Sequence, residues 1–189
     1  MSSWPSQTIG PFFDFGLTAN EALGCLAGPA ATGQRIRLRL RLLDGAGEPV
    51  PDGMLELWQA DANGIYRHPE DPRHSSADAA FTGFGRLASG ANGVCVFETI
   101  RPGSADASHM RAVGAAHINL TVFARGLLGH LTTRIYFADD EALATDPVLA
   151  LVPAERRSTL IAVPDAADPD RWNLDIHLQG EHETVFFDH

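Results

Sequence analysis

Residues 35–42 read Arg-Ile-Arg-Leu-Arg-Leu-Arg-Leu, and no other stretch limits the fold so tightly. Strict alternation places Ile36, Leu38, Leu40 and Leu42 on one side of an extended chain and four arginines on the other. On a helix the same residues would scatter around the axis and leave no apolar stripe. A strand over Gln34–Leu43 is therefore predicted, with one face in a core. The segments Asp44-Gly45-Ala46-Gly47 and Asp52-Gly53, with Pro49 and Pro51 between them, supply the turns that follow it.

The same signals predict strands at Met54–Ala60, Gly93–Thr99, His117–Ala124, His130–Phe137 and Asn173–Gln179, with a last short one at Glu183–Phe187. Arg67–Phe81 is polar and irregular and reads as a long loop. Short helices are predicted at Asp139–Thr145 and at Pro153–Ile161, where Pro153 suits a first turn. Short strands separated by Pro/Gly turns predict an all-β, antiparallel β-sandwich with long loops and few helices. Residues 1–33 carry little periodicity, and one helical turn is predicted between Thr18 and Gly33. An arm bearing Trp4, Phe12, Phe13 and Phe15 needs a cover, from its own domain or from a partner chain. The expected organisation is an N-terminal arm and loop (1–33) contacting a partner, then a sandwich domain (34–189).

At 189 residues the chain suits one domain. Its 14 basic and 24 acidic side chains give a net charge of −10, which argues against general binding to nucleic acid or anionic membrane. One local basic pocket for a small anion is still compatible with that balance. Cys25 and Cys95 lack metal-type spacing and are expected to be buried, reduced thiols. The absence of a charged-then-apolar leader and of an apolar run near ~18 residues leads to the expectation of a cytoplasmic protein.

Eight histidines raise the question of a metal, but none forms H-E-x-x-H and no two form H-x-H. The nearest approach is His117-Ile118-Asn119, where a neutral amide stands in place of a second imidazole. Nucleophile-elbow, dinucleotide and P-loop motifs are absent from the sequence. Residue types alone leave catalytic, binding and structural roles open.

An ordered series of segments narrows this. Leu55-Glu56-Leu57-Trp58-Gln59-Ala60-Asp61-Ala62-Asn63-Gly64, followed by Tyr66, resembles the hallmark stretch of the intradiol ring-cleavage dioxygenases. Phe84-Gly85-Arg86, Thr99-Ile100-Arg101-Pro102-Gly103, Ala116-His117-Ile118-Asn119 and Arg134-Ile135-Tyr136-Phe137 follow in the family's order. The match ends on Asp175-Ile176 to Glu181 and Thr184-Val185-Phe186-Phe187, and it begins at Pro5-Ser6-Gln7-Thr8 with Gly10-Pro11. The resemblance implies a transthyretin-like sandwich and oxidative ring opening of a catechol.

In that family two tyrosines and two histidines hold Fe(III), because hard phenolate donors favour the ferric state. The resemblance places the four positions at Tyr66, Ala105, His117 and Asn119, so two of the donors are missing here. It then implies that this chain has no catalytic residue and no metal site, and that a homologous iron-bearing beta-type chain supplies Fe(III). Protocatechuate (3,4-dihydroxybenzoate) and O2 are the implied substrates. Thr8, Gly10, Pro11, Phe12 and Arg125 are the residues implied to line the substrate side of the shared pocket. Arginine suits that place, because its forked, permanent cation matches a carboxylate. Two rivals stand beside this reading. One is a homomeric enzyme with an iron site rearranged around Tyr66, His117, Tyr136 and a further histidine such as His109. The other is a β-sandwich that only binds or assembles.

Overall fold

The structure is a computed structural model that describes residues 16–104 and 114–188. Eight strands are formed: β1 (Arg35–Leu43), β2 (Met54–Gln59), β3 (Phe84–Ala88), β4 (Val94–Ile100), β5 (Ile118–Phe123), β6 (Leu131–Phe137), β7 (Ile161–Pro164) and β8 (Arg171–His177). The arginine-leucine alternation does what its pattern requires. Ile36, Leu38, Leu40 and Leu42 are buried, whereas Arg35 and Arg37 are exposed and Arg39 and Arg41 half-buried.

The strands run in the order β3-β2-β5-β6-β7-β8-β1-β4, as one sheet rolled nearly closed upon itself. This corrects the expected antiparallel sandwich. The pairings β1–β8 and β6–β7 are parallel, and the other five pairings of the described residues are antiparallel. Periodicity reports which face of a strand is buried, not which way its neighbour runs. A parallel neighbour needs a long crossover. Between β6 and β7 the chain takes one through three short 3-10 helices, Glu141–Thr145, Leu149–Leu151 and Ala154–Leu160. Residues from both halves of the rolled sheet meet in the main core cluster, which holds Leu38 and Leu40 with Leu57, Ile118 and Leu120, and a smaller second cluster gathers Ala115, Tyr136, Leu149, Val152 and Leu160.

Two strands, β3 and β7, were not predicted. Only Ile161–Pro164 of β7 is extended, and Ile161 closes the segment expected to be helical. The predicted last strand is a tail. Glu183–Phe187 lacks a ladder but is pinned by bonds such as Phe187 N–H to Thr132 O, 2.8 Å, and Thr184 N–H to His177 O, 2.9 Å. Within residues 16–33 the helical turn lies at Glu21–Gly24, and Leu26 and Ala27 belong to the core. Both cysteines are free thiols, but only Cys95 is buried as expected; Cys25 is exposed. Burial pushes the Cys95 thiol up to about 12. Among the described residues no helix is long and apolar enough to cross a membrane.

Candidate functional site

The site is assembled where β2 runs into its turn. Asp61 is 2% exposed and acts as a knot. Its Oδ1 accepts from the backbone N–H groups of Asn63 (2.9 Å) and Ile65 (3.0 Å), and its Oδ2 accepts from that of Asp78 (3.0 Å). Its carbonyl accepts from Gly64 and from Gly103. Gly64 takes a left-handed φ of +72°, which a side chain would strain. A Cβ on Gly103 would strike the Ala62 carbonyl, so the chain that leads to position 105 passes here only as glycine. Arg101, just before it, stacks over the rings of Phe137 (3.9 Å) and Trp172 (4.8 Å) and pairs with Asp139 at 2.5 Å. Gln59 ties the end of β2 to β4, donating to the Ile100 carbonyl (3.1 Å) and accepting from the Thr99 hydroxyl (2.7 Å).

The turn returns Tyr66 over Trp58, and the two rings stack at 5.9 Å with 20° between planes. The Tyr66 N–H donates to the Asp71 carboxylate at 3.0 Å, and Arg73 grips the same carboxylate. Burial alone would raise the Asp71 pKa. The hydrogen bonds from Arg73 and from the Tyr66 backbone outweigh it and bring the group down to about 2.

Opposite lies the start of β5. His117 Nδ1 is 2.9 Å from the Ala115 carbonyl, which can only accept, so Nδ1 carries the proton. The imidazole packs against the Tyr136 ring at 5.8 Å. Asn119 Nδ2 donates to the Trp58 carbonyl and to the Tyr66 hydroxyl oxygen, each at 3.2 Å. The carbonyl contact fixes which end of the amide is nitrogen. An N–H therefore points at the phenol oxygen, where a metal would have to sit.

Charge settles the matter further. Arg134 is the cross-strand partner of Asn119 and acts on Tyr66, His117 and Tyr136 together. Burial raises the Tyr66 phenol, against a smaller pull from the Asn119 hydrogen bond and Arg134. Burial, and then Arg134, lower His117. Both groups are held neutral beside a cation. Ferric iron favours hard anionic donors, and neither the neutral phenol nor the neutral imidazole supplies one here. Ala105 offers no side-chain donor, and the described residues contain no cluster of three or more His, Cys, Asp or Glu able to hold an ion. The residues present do not fit iron. The rearranged site fares no better. The Tyr136 hydroxyl is buried and donates to Asp146 Oδ1 (3.1 Å), and its phenol is pushed up to about 12. His109 lies outside the described residues.

The residues predicted to line a substrate pocket are not brought to this place. Arg125 lies past the far end of β5, a six-residue strand that spans about 20 Å. There its Nε pairs with Asp52 at 2.9 Å and its side chain is 78% exposed. Thr8, Gly10, Pro11 and Phe12 lie outside the described residues, as does Ala105. Sequence reasoning missed Asp61, Asp71 and Arg134. Asp61 stood in the sequence as a turn residue of the hallmark stretch, Asp71 as a loop residue, and Arg134 as the first residue of a matched segment, none with a role attached.

Comparison with known proteins identifies the family. A family model described as "Dioxygenase" matches residues 10–180. The protocatechuate 3,4-dioxygenase alpha chain of Burkholderia cepacia is 43% identical, over 97% of this chain and 96% of that protein. The beta chain of the same organism's enzyme is 33% identical, over 97% of this chain and 73% of that one. Among solved structures, the dioxygenase domain of a carbohydrate-binding fusion protein from Streptomyces sp. SirexAA-E superposes with a TM-score of 0.63 at 24% identity, covering 93% of this chain and 97% of that one. This chain belongs to the intradiol ring-cleavage dioxygenase family.

Proposed function

We propose that this chain is the alpha-type subunit of a protocatechuate 3,4-dioxygenase, acting as part of an oxidoreductase whose Fe(III) is held by a homologous beta-type chain. The hydrogen bond from Asn119 to the Tyr66 hydroxyl carries this reading, because it satisfies internally the group that would otherwise face a metal. The likeness to named alpha and beta chains supports the pairing of two homologous subunits. In that assembly O2 opens the ring of protocatechuate to 3-carboxy-cis,cis-muconate, with both oxygen atoms ending in the product. This chain supplies Thr8, Gly10, Pro11, Phe12 and Arg125 to the substrate side of a pocket shared with its partner. The high exposure of Arg125, remote from its own chain's Tyr66, supports a role toward another chain. Two free thiols suit a reducing, cytoplasmic setting.

Co-expression tests this. The chain purified alone is expected to be colourless and inactive, and to gain iron, colour and turnover only with its beta-type partner. An iron-loaded, coloured preparation of the chain alone would sink the proposal.

A further inference from the structure

One face of β2, β5 and β6 carries a cavity that the shared pocket does not use. Its volume is about 410 Å³, within the range of small-molecule sites. Trp58, Val148 and Phe187 give it apolar walls, and Asn119, Thr121 and Arg134 give it polar ones. The tail that roofs it is fixed from within the sheet. Thr132 Oγ1 donates to the Phe187 carbonyl at 2.9 Å, and Thr133 Oγ1 to that of Val185 at 2.6 Å.

Arg134 is the anomaly. It is half-buried in a protein of net charge −10, yet among the described residues no carboxylate forms an ion pair with it. Its guanidinium lies against the Tyr136 hydroxyl, and that hydroxyl donates in turn to Asp146. Asp146 is already saturated by the backbone N–H groups of Ala115, Val148 and Leu149. Asp146 is thus linked to Arg134 through the Tyr136 phenol and not by a direct ion pair. The Glu56 carboxylate on the same face is taken by Arg86 at 2.5 Å. A half-buried fork of N–H donors with no anion of its own, set between aromatic walls, matches a flat ring that bears a carboxylate.

We propose that this chain carries a second small-molecule site of its own, in which an aromatic carboxylate lies between Trp58 and Phe187 with its carboxylate on Arg134. The site goes beyond the proposed subunit role and is separate from the pocket at Arg125. Binding there ties β2, β5, β6 and the C-terminal tail together, so occupancy stiffens the tail.

The test is fluorine NMR of 4-fluorobenzoate with the assembled, iron-bearing complex. Two bound signals are expected: one broadened by the partner's iron and one narrow, arising from a site remote from it. Arg134→Gln should weaken the narrow-signal site by about tenfold or more, the scale of a lost charge-assisted contact. Arg134→Lys keeps the charge without the fork and should bind with intermediate affinity. Sulfate in equal amount should leave the narrow signal in place, because it has no ring to hold. Absence of the narrow signal, its persistence in Arg134→Gln, equal loss in both variants, or displacement by equal sulfate would each overturn the proposal. Loss of the broadened signal alone would instead count against the subunit assignment, so the two readings fail separately.

Discussion

The two ends of β5 make opposite uses of polar residues. At the His117–Asn119 end the polar groups are neutral, half-buried and bonded to one another or to backbone. At the Arg125 end a charged side chain is 78% exposed and held by a single surface pair. At the first end, among the described residues, the Asn119 and His117 side chains are bonded within the chain. The second keeps a strong donor facing outward at little cost to the fold, because an exposed pair contributes only about 0–1 kcal/mol. An internally bonded polar cluster and an exposed charge are thus separable within one strand. Changes at the first end should read out in stability, and changes at the second in binding.

The largest effect should come from Asp61→Ala. It strips three backbone N–H groups of a buried, charged acceptor and frees the turn that presents Tyr66. A loss of about 3–5 kcal/mol in urea unfolding is expected. A loss below about 1 kcal/mol would show that the first end does not depend on this knot.

Alkaline titration probes the same end. Tyr66 and Tyr136 are the only tyrosines, and both are raised above their usual 10.0, Tyr136 to about 12. Between pH 10 and 12 the unfolded chain has lost phenolic protons that the folded chain keeps. Stability should therefore fall as pH rises, by about 1.4 kcal/mol per pH unit for each such proton. Absorbance at 295 nm should show less tyrosinate in the folded protein than in the unfolded chain near pH 10. A tyrosine ionising near neutral pH would mean that the first end still presents a phenolate.

Arg125→Ala should separate the two ends. Unfolding should change by less than about 1 kcal/mol, as for other exposed pairs. In the assembled enzyme, protocatechuate binding should weaken by about 1–3 kcal/mol, read as a rise in KM. Unchanged KM would leave the far end without a function.

The smallest effect is acidic. Asp71 lies near 2 when folded, against an ordinary 3.8. Its contribution is present above about pH 4 and is lost as pH falls toward 2. About 1 kcal/mol is at stake, since its partner Arg73 is more than a third exposed. An unfolding free energy flat over that window in wild type but not in Asp71→Asn would contradict it.

The buried faces of β1, β2, β5 and β8 were legible because side-chain period reports burial directly. The strand at Ile161–Pro164 was not legible, because four residues beside a helix-like run carry too little pattern to separate the two. The tail at Glu183–Phe187 alternates like a strand, yet its hydrogen bonds go piecemeal to β6 and β8. The identities of Ala105 and Asn119, neither of them a strong metal donor, were legible because they are a matter of residue type.

By itself, then, the sequence determined which side chains face the core and which residue types stand at each position of the family's segments, because both follow from the order and chemical type of residues. Only the tertiary structure decided that β1 lies parallel to β8, that Asn119 donates to Tyr66, and that Arg134 forms no ion pair with a carboxylate among the described residues. Those facts depend on which strands become neighbours and in what register, a choice made by packing across distances that local sequence does not encode.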